Sequence, residues 1–180
     1  MLFPRWQAAV NAAECSAALR GWLLDRGSLT RRLQQHSDGD FSVTLLRQRW
    51  ARPRLDEAQA LGISARRHAL IREVLLCGHG QPWVFARSVI PAQAMQGPLC
   101  FLRRLDNRPL GALLFSNPAI TRGPIMLARW PQQLLPPSLQ HTGAAKLWGR
   151  HSVFHHAGAG ILVAEVFLPA LALQLPHANT

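Results

Sequence analysis

Residues 65–91 read ARRHALIREVLLCGHGQPWVFARSVIP. Two runs rich in β-branched, aromatic and other apolar residues flank CGHGQP (77–82). Glycine there supplies positive φ and proline a fixed φ, as a tight reversal requires, so the stretch predicts two strands joined as a hairpin. Strand side chains alternate faces. Arg72 therefore shares its face with Leu70, Val74 and Leu76, while its neighbour Glu73 points the other way. A guanidinium on an otherwise apolar face needs an anion or a set of acceptors.

The C-terminal stretch LWGRHSVFHHAGAGILVAEVFLP (147–169) predicts a second hairpin, turning at HAGAG. On its last strand Ile161, Val163, Glu165 and Phe167 share one face, and Leu162, Ala164, Val166 and Leu168 the other. Neither face is polar, so Glu165, the only acidic residue after Asp106, is expected to be at least partly buried. A buried carboxylate costs several kcal/mol unless it is paired or protonated. Arg72 is the natural candidate partner. The two charges could bind each other as a structural ion pair, each could face one part of a polar ligand, or Glu165 could lie in water on an edge strand.

Working outward, FSVTLLRQRW (41–50) and TRGPIMLARW (121–130) predict further strands. Residues 11–24 carry apolar side chains at helical spacing, and Ser28 is placed to cap a short helix running to about His36. MQGPLCFLRRLDNRPLGALLFSNP (95–118) predicts two short helical pieces divided by DNRP. RPRLDEAQALGIS (52–64) reads as a polar connection. Residues 131–145, with three prolines and no charge, read as a loop, and the end of the tail ALALQLPHANT as poorly ordered. Hairpins with segregated helices imply an α+β fold, an antiparallel sheet with helices on one face.

The chain of 180 residues, 48% hydrophobic, suits one domain, 1–180. No apolar run is long enough to span a bilayer, and the N-terminus lacks the basic-then-apolar order of a signal peptide. Cys15, Cys77 and Cys100 are odd in number and widely spaced, which suggests neither a disulfide frame nor a zinc site and fits a reducing cytoplasm. The net charge is +11, and every basic residue but Lys146 is arginine. The arginines are scattered in pairs, with no basic tail and few aromatic residues, so nucleic acid is not the expected partner; a positive field also suits a small dianionic substrate. His155 and His156 would point to opposite strand faces, which argues against joint metal chelation. Cys77 and His79 have no accompanying acid or oxyanion-hole motif. No GxGxxG, P-loop or GxSxG pattern occurs, so no metal or cofactor is expected.

The segments in order, WLLDRGSLTRRL, SVTLLRQ, IREVLLCGHGQPWVFARSVIP, PLGALLF, LWGRHS and AEVFLP, resemble the chorismate pyruvate-lyase family from about Trp22 to Pro169. The resemblance implies a six-stranded antiparallel sheet with helices on one side and a ligand cavity closed by two helical flaps. It implies a cofactor-free carbon–oxygen lyase that converts chorismate to 4-hydroxybenzoate and pyruvate in ubiquinone biosynthesis. It also implies site residues: Arg72 for the ring carboxylate, Glu165 for the ring hydroxyl, and backbone groups at Leu29 and Leu110. Leu29 stands where the family often has methionine, a change of little consequence if the main chain makes the contact. Arg87 and Arg150 are further basic candidates. The segment 131–145 is longer than the family pattern leads one to expect. A monomer is expected. The alternative is a non-catalytic ligand-sensing domain of the same fold, as attached to bacterial transcription regulators; the roughly 20 residues before the match are too few for a helix-turn-helix.

Overall fold

The computed structural model describes residues 3–8, 15–140 and 147–175. Residues 11–14 of the expected first helix, 141–145 of the Pro-rich segment and 176–180 of the tail lie outside them. Strands β1 (Phe41–Ala51), β2 (Ala69–Gly78), β3 (Gln81–Pro91), β4 (Thr121–Arg122), β5 (Met126–Trp130), β6 (Leu147–His156) and β7 (Ala159–Phe167) form one antiparallel sheet of order β1-β2-β3-β7-β6-β4. β5 also pairs with β6, so β4 and β5 together fill a single sixth position. The break between them falls at Gly123-Pro124, where proline has no N–H to offer the ladder.

Both hairpins turn through two left-handed residues: His79 and Gly80 at φ 51° and 70°, Ala157 and Gly158 at φ 47° and 77°. Positive φ at both central positions matches the twist of the flanking strands. Gly78 lies against the Trp83 ring with no room for a β-carbon. These turns set Arg72 opposite Ser88 and Arg150 opposite Glu165.

Helices α1 (Ala17–Leu23), α2 (Leu29–His36), α4 (Leu110–Ser116) and α5 (Pro169–Gln174) cover the face that carries Arg72 and Glu165. Ser28 caps α2, accepting from Arg31 N–H at 3.4 Å. The stretch read as a polar connection contains a further helix, α3 (Leu55–Leu61), on the opposite face. Asp56 and Glu57 in its first turn and left-handed Gly62 at its end are sound helix signals, but those two acids are buried while Leu55 is exposed, so no apolar stripe marks the face it buries. The expected helical pieces in 95–104 are 3₁₀ turns, as are 132–134 and 137–139 within the Pro-rich segment. That segment packs Leu135 and Leu139 onto the opposite sheet face. Among the described residues no helix is long and apolar enough to cross a membrane.

Candidate active site

The helix-covered face is not uniformly apolar. One end is a cluster that includes Val74, Leu76, Val84, Trp148 and Phe167 with Leu29 and Leu33 of α2. The other includes Leu70, Ile90, Phe154, Ile161 and Val163 with Leu110 and Leu114 of α4. Between them runs a belt of polar side chains: Arg72 on β2, Ser88 on β3, Glu165 on β7, Arg150 and Ser152 on β6, and Arg122 on β4. Period-two alternation puts them on one face, and register sets them side by side. Each of these two helices is seated on one apolar cluster, so the seam between α2 and α4 lies above the belt. The helices touch at Thr30 and Gly111, where a β-carbon on Gly111 would sit 3.3 Å from Thr30 Oγ1. Outside the seam a cleft of about 690 Å³ is lined by Ser28, Arg31, Arg32, Gln35, Ala112 and Phe115. A more apolar hollow of about 470 Å³ on the opposite sheet face, bordered by Trp6 and His151, receives none of the belt residues.

Arg72 is 2% exposed and pairs with no carboxylate side chain among the described residues. Its Nη2 donates to the carbonyls of Asp106 and Arg108, at 2.7 and 2.9 Å, in the turn that leads into α4. Its Nε is buried with no acceptor. A buried unsatisfied donor is costly, and this N–H is free to donate to an oxygen acceptor. Burial, partly opposed by Asp106, lowers the Arg72 pKa to about 10, which leaves it cationic at neutral pH.

Glu165 does not pair with Arg72. Its Oε2 accepts from Arg150 Nε at 2.6 Å, and Oε1 makes no hydrogen bond among the described residues. The simple ion pair weighed from sequence between Arg72 and Glu165 is therefore absent, and Glu165 lies on a central strand, not an edge. Arg150, 1% exposed, uses Nη1 to hold the carbonyls of Trp22, Leu23 and Asp25 at the end of α1. Arg122 donates from Nε to Ser152 Oγ at 3.0 Å and from Nη1 to the carbonyls of residues 25–27, before α2. The belt arginines thus tie down the segments that lead into α2 and α4. Leu29 and Leu110 are the first residues of α2 and α4, and both are buried. First-turn N–H groups have no partner within their own helix, so both positions offer main-chain donors beside the seam.

Arg87 stands apart. It lies on the opposite face, where Nε donates to Glu57 Oε1 at 2.6 Å and Nη1 bonds Glu73. Burial lowers its pKa, but the bonds and charges of Glu57 and Glu73 more than compensate and hold it raised. It fastens α3 to the sheet. Sequence reasoning missed Arg122, Ser88 and Ser152. Placing the second turn at Ala157-Gly158 would have put Arg150 opposite Glu165; no short turn ties β4 to its neighbour, so Arg122 had no such signal. Among the described residues no group of three metal-ligating side chains converges.

The geometry offers one buried cation with an open N–H at one end and one carboxylate oxygen, backed by arginines, toward the other. Such an arrangement suits a small ligand bearing a carboxylate and a hydroxyl. Solved structures similar in fold include the effector domain of PhnF from Mycobacterium smegmatis, at 18% identity and TM-score 0.56 over 82% of this chain and 91% of that one. The C-terminal domain of a histidine utilization repressor from Pseudomonas syringae matches at 12% identity and TM-score 0.54, over 78% and 96%. At these identities the likeness concerns the fold alone. Sequence relatives are much nearer. A Pseudomonas putida protein named "Probable chorismate pyruvate-lyase" is 51% identical over 150 residues, 83% of this chain and 80% of the relative. One of the same name from Pseudomonas aeruginosa is 45% identical over 166 residues, 92% of each. With the family described as Chorismate lyase matching residues 4–174, the chain belongs to the chorismate lyase family.

Proposed function

We infer that the protein is a chorismate pyruvate-lyase, which splits chorismate into 4-hydroxybenzoate and pyruvate at the start of the ubiquinone ring pathway. Family membership carries the activity. For the residues, the supporting observation is the buried Arg72 Nε without an acceptor, on the same sheet face as the open Oε1 of Glu165.

Chorismate has a ring carboxylate at C1, a hydroxyl at C4 and an enolpyruvyl ether at C3. The reaction breaks the C3–O bond and removes the C4 hydrogen; the ring becomes aromatic and the enolpyruvyl group leaves as pyruvate. Aromatisation makes the step strongly favourable. The protein's task is to hold the ether and the C4–H in a reactive arrangement and keep water out. In this reading Arg72 takes the C1 carboxylate by a charge-assisted hydrogen bond, helped by the main chain at Leu29 and Leu110. Glu165 accepts from the C4 hydroxyl through Oε1, while Arg150 holds its carboxylate in place. Closure of α2 and α4 over the belt excludes solvent, and their reopening is a candidate for the slow step. A cytoplasmic location suits a chain whose described helices include no membrane span. The reading is tested by incubating purified protein with chorismate in the presence of EDTA and assaying both products. Pyruvate and 4-hydroxybenzoate should form in equal amounts; binding of chorismate without either product would support the ligand-sensing alternative instead.

A further inference from the structure

Arg122 is left over when the charges of the belt are paired. Glu165 is taken by Arg150, and the Asp25 carboxylate by Arg32 at 2.8 Å. Arg122 has no carboxylate within ion-pairing distance among the described residues; its bonds go to Ser152 Oγ and to three main-chain carbonyls, through Nε and Nη1 alone. It lies beside the Glu165 end of the belt: Arg122 and Arg150 both donate to the Asp25 carbonyl, at 3.4 and 2.7 Å. Its guanidinium stands 5.6 Å from the centre of the Phe115 ring on α4 and 5.5 Å from that of Phe154 on β6. Burial and the charge of Arg150 bring its pKa down to about 10, with Glu165 opposing, so it remains a cation at neutral pH whose charge is not neutralised nearby.

The substrate supplies what is missing. On the lyase reading above, C1 lies at Arg72 and C4 at Glu165. The ether oxygen is on C3, next to C4, so the second carboxylate of chorismate must fall at the Glu165 end. We propose that Arg122 binds the carboxylate of the enolpyruvyl group. The belt then carries three arginines against one glutamate, an excess of two positive charges that a dianion neutralises and 4-hydroxybenzoate does not. Pyruvate departure takes the second carboxylate with it, leaving Arg122 with Ser152 Oγ and the carbonyls of residues 25–27.

The test is a cycle between residue and ligand. The ligands are 3-(carboxymethoxy)-4-hydroxybenzoate and 3-methoxy-4-hydroxybenzoate, which share the C1 carboxylate, the C4 hydroxyl and the C3 ether and differ in the second carboxylate. Dissociation constants are measured by tryptophan fluorescence for wild type, Arg122→Gln and Arg122→Lys, with KM for chorismate alongside. The wild type should bind the dicarboxylate at least tenfold more tightly than the methoxy compound, and Arg122→Gln should abolish that preference while changing the methoxy affinity less than threefold. Arg122→Lys should retain part of the preference. KM for chorismate should rise tenfold or more in Arg122→Gln, with a smaller change in the affinity for 4-hydroxybenzoate. Equal weakening of both ligands would show that Arg122 only holds the hinge and would overturn the proposal. Wild type that releases no pyruvate from chorismate would overturn the lyase reading instead, whatever the cycle shows.

Discussion

Arg72 commits one nitrogen to two main-chain carbonyls and leaves another buried without an acceptor. Arg72→Ala removes the anchor of the turn before α4 and, on the proposed reading, the ligand's counter-charge. A hydrogen bond to a charged group is worth roughly 1.5–3 kcal/mol, so kcat/KM for chorismate should fall by about tenfold to a hundredfold for each bond lost. Arg72→Lys keeps the charge but not the planar fork, and steady-state kinetics should place it well below wild type. Glu165 needs a gentler substitution, because its removal would strand Arg150, 1% exposed, without its carboxylate. Breaking a buried pair costs about 3–5 kcal/mol. Glu165→Gln should therefore lose most turnover and some stability, and retained turnover would remove Glu165 from the site. These two residues were legible in the sequence because period two isolates a charge on an apolar strand face. Their relation was not. Direct pairing was one natural expectation, and the register of β6 against β7 gave Glu165 to Arg150 instead.

Among the elements, α2 and α4 carry the functional weight, since each is hinged on arginines that also face the belt. On the proposed lyase reading, ligand binding and closure of α2 and α4 would act on the same guanidinium groups. Gly111 permits the close approach of the two helices at Thr30. Gly111→Ala should push the seam apart by a few tenths of an ångström. Stopped-flow fluorescence should then show faster release of 4-hydroxybenzoate, and kinetics a severalfold higher KM for chorismate; unchanged release would mean that the seam does not gate the site. The two hairpins and the capped α2 were readable because short-range turn and cap chemistry specify them. The α3 helix was not read, since its polarity is inverted: Leu55 is exposed, while Asp56 and Glu57 are buried together with Ala58. Only the fold shows that Arg54 and Arg87 across from Glu57 make that burial possible.

For the whole molecule, Glu57 and His151 on the face opposite the belt are expected to contribute to acid sensitivity. Burial raises the Glu57 pKa, but the hydrogen bond and charge of Arg87, together with Arg54, outweigh it and leave it below 4.5. A carboxyl that binds protons less readily when folded stabilises fully above its unfolded pKa, and that contribution fades as pH falls through the folded value. His151, 5% exposed and stacked on Trp6 at 4.0 Å, is held neutral by burial, with its pKa lowered from 6.5 to about 4. It adds stability above pH 6.5 that is lost progressively toward pH 4. Denaturant unfolding should accordingly show stability falling from pH 7 to pH 4, and His151→Phe should flatten the upper part of that fall. A slope between pH 6.5 and pH 5 that is the same in the variant would assign it to other groups. The +11 charge, distributed over both faces and the α2–α4 cleft, gave no location from sequence alone; the cleft places Arg31 and Arg32 where they can draw a dianion to the seam.

The central claim is that Arg72 and Glu165 grip opposite ends of one ligand. Calorimetric dissociation constants of 4-hydroxybenzoate and benzoate, for wild type, Arg72→Leu and Glu165→Gln, test it most directly. Arg72→Leu should weaken both ligands alike, whereas Glu165→Gln should weaken only the hydroxylated one; equal loss of benzoate binding in Glu165→Gln would contradict the account.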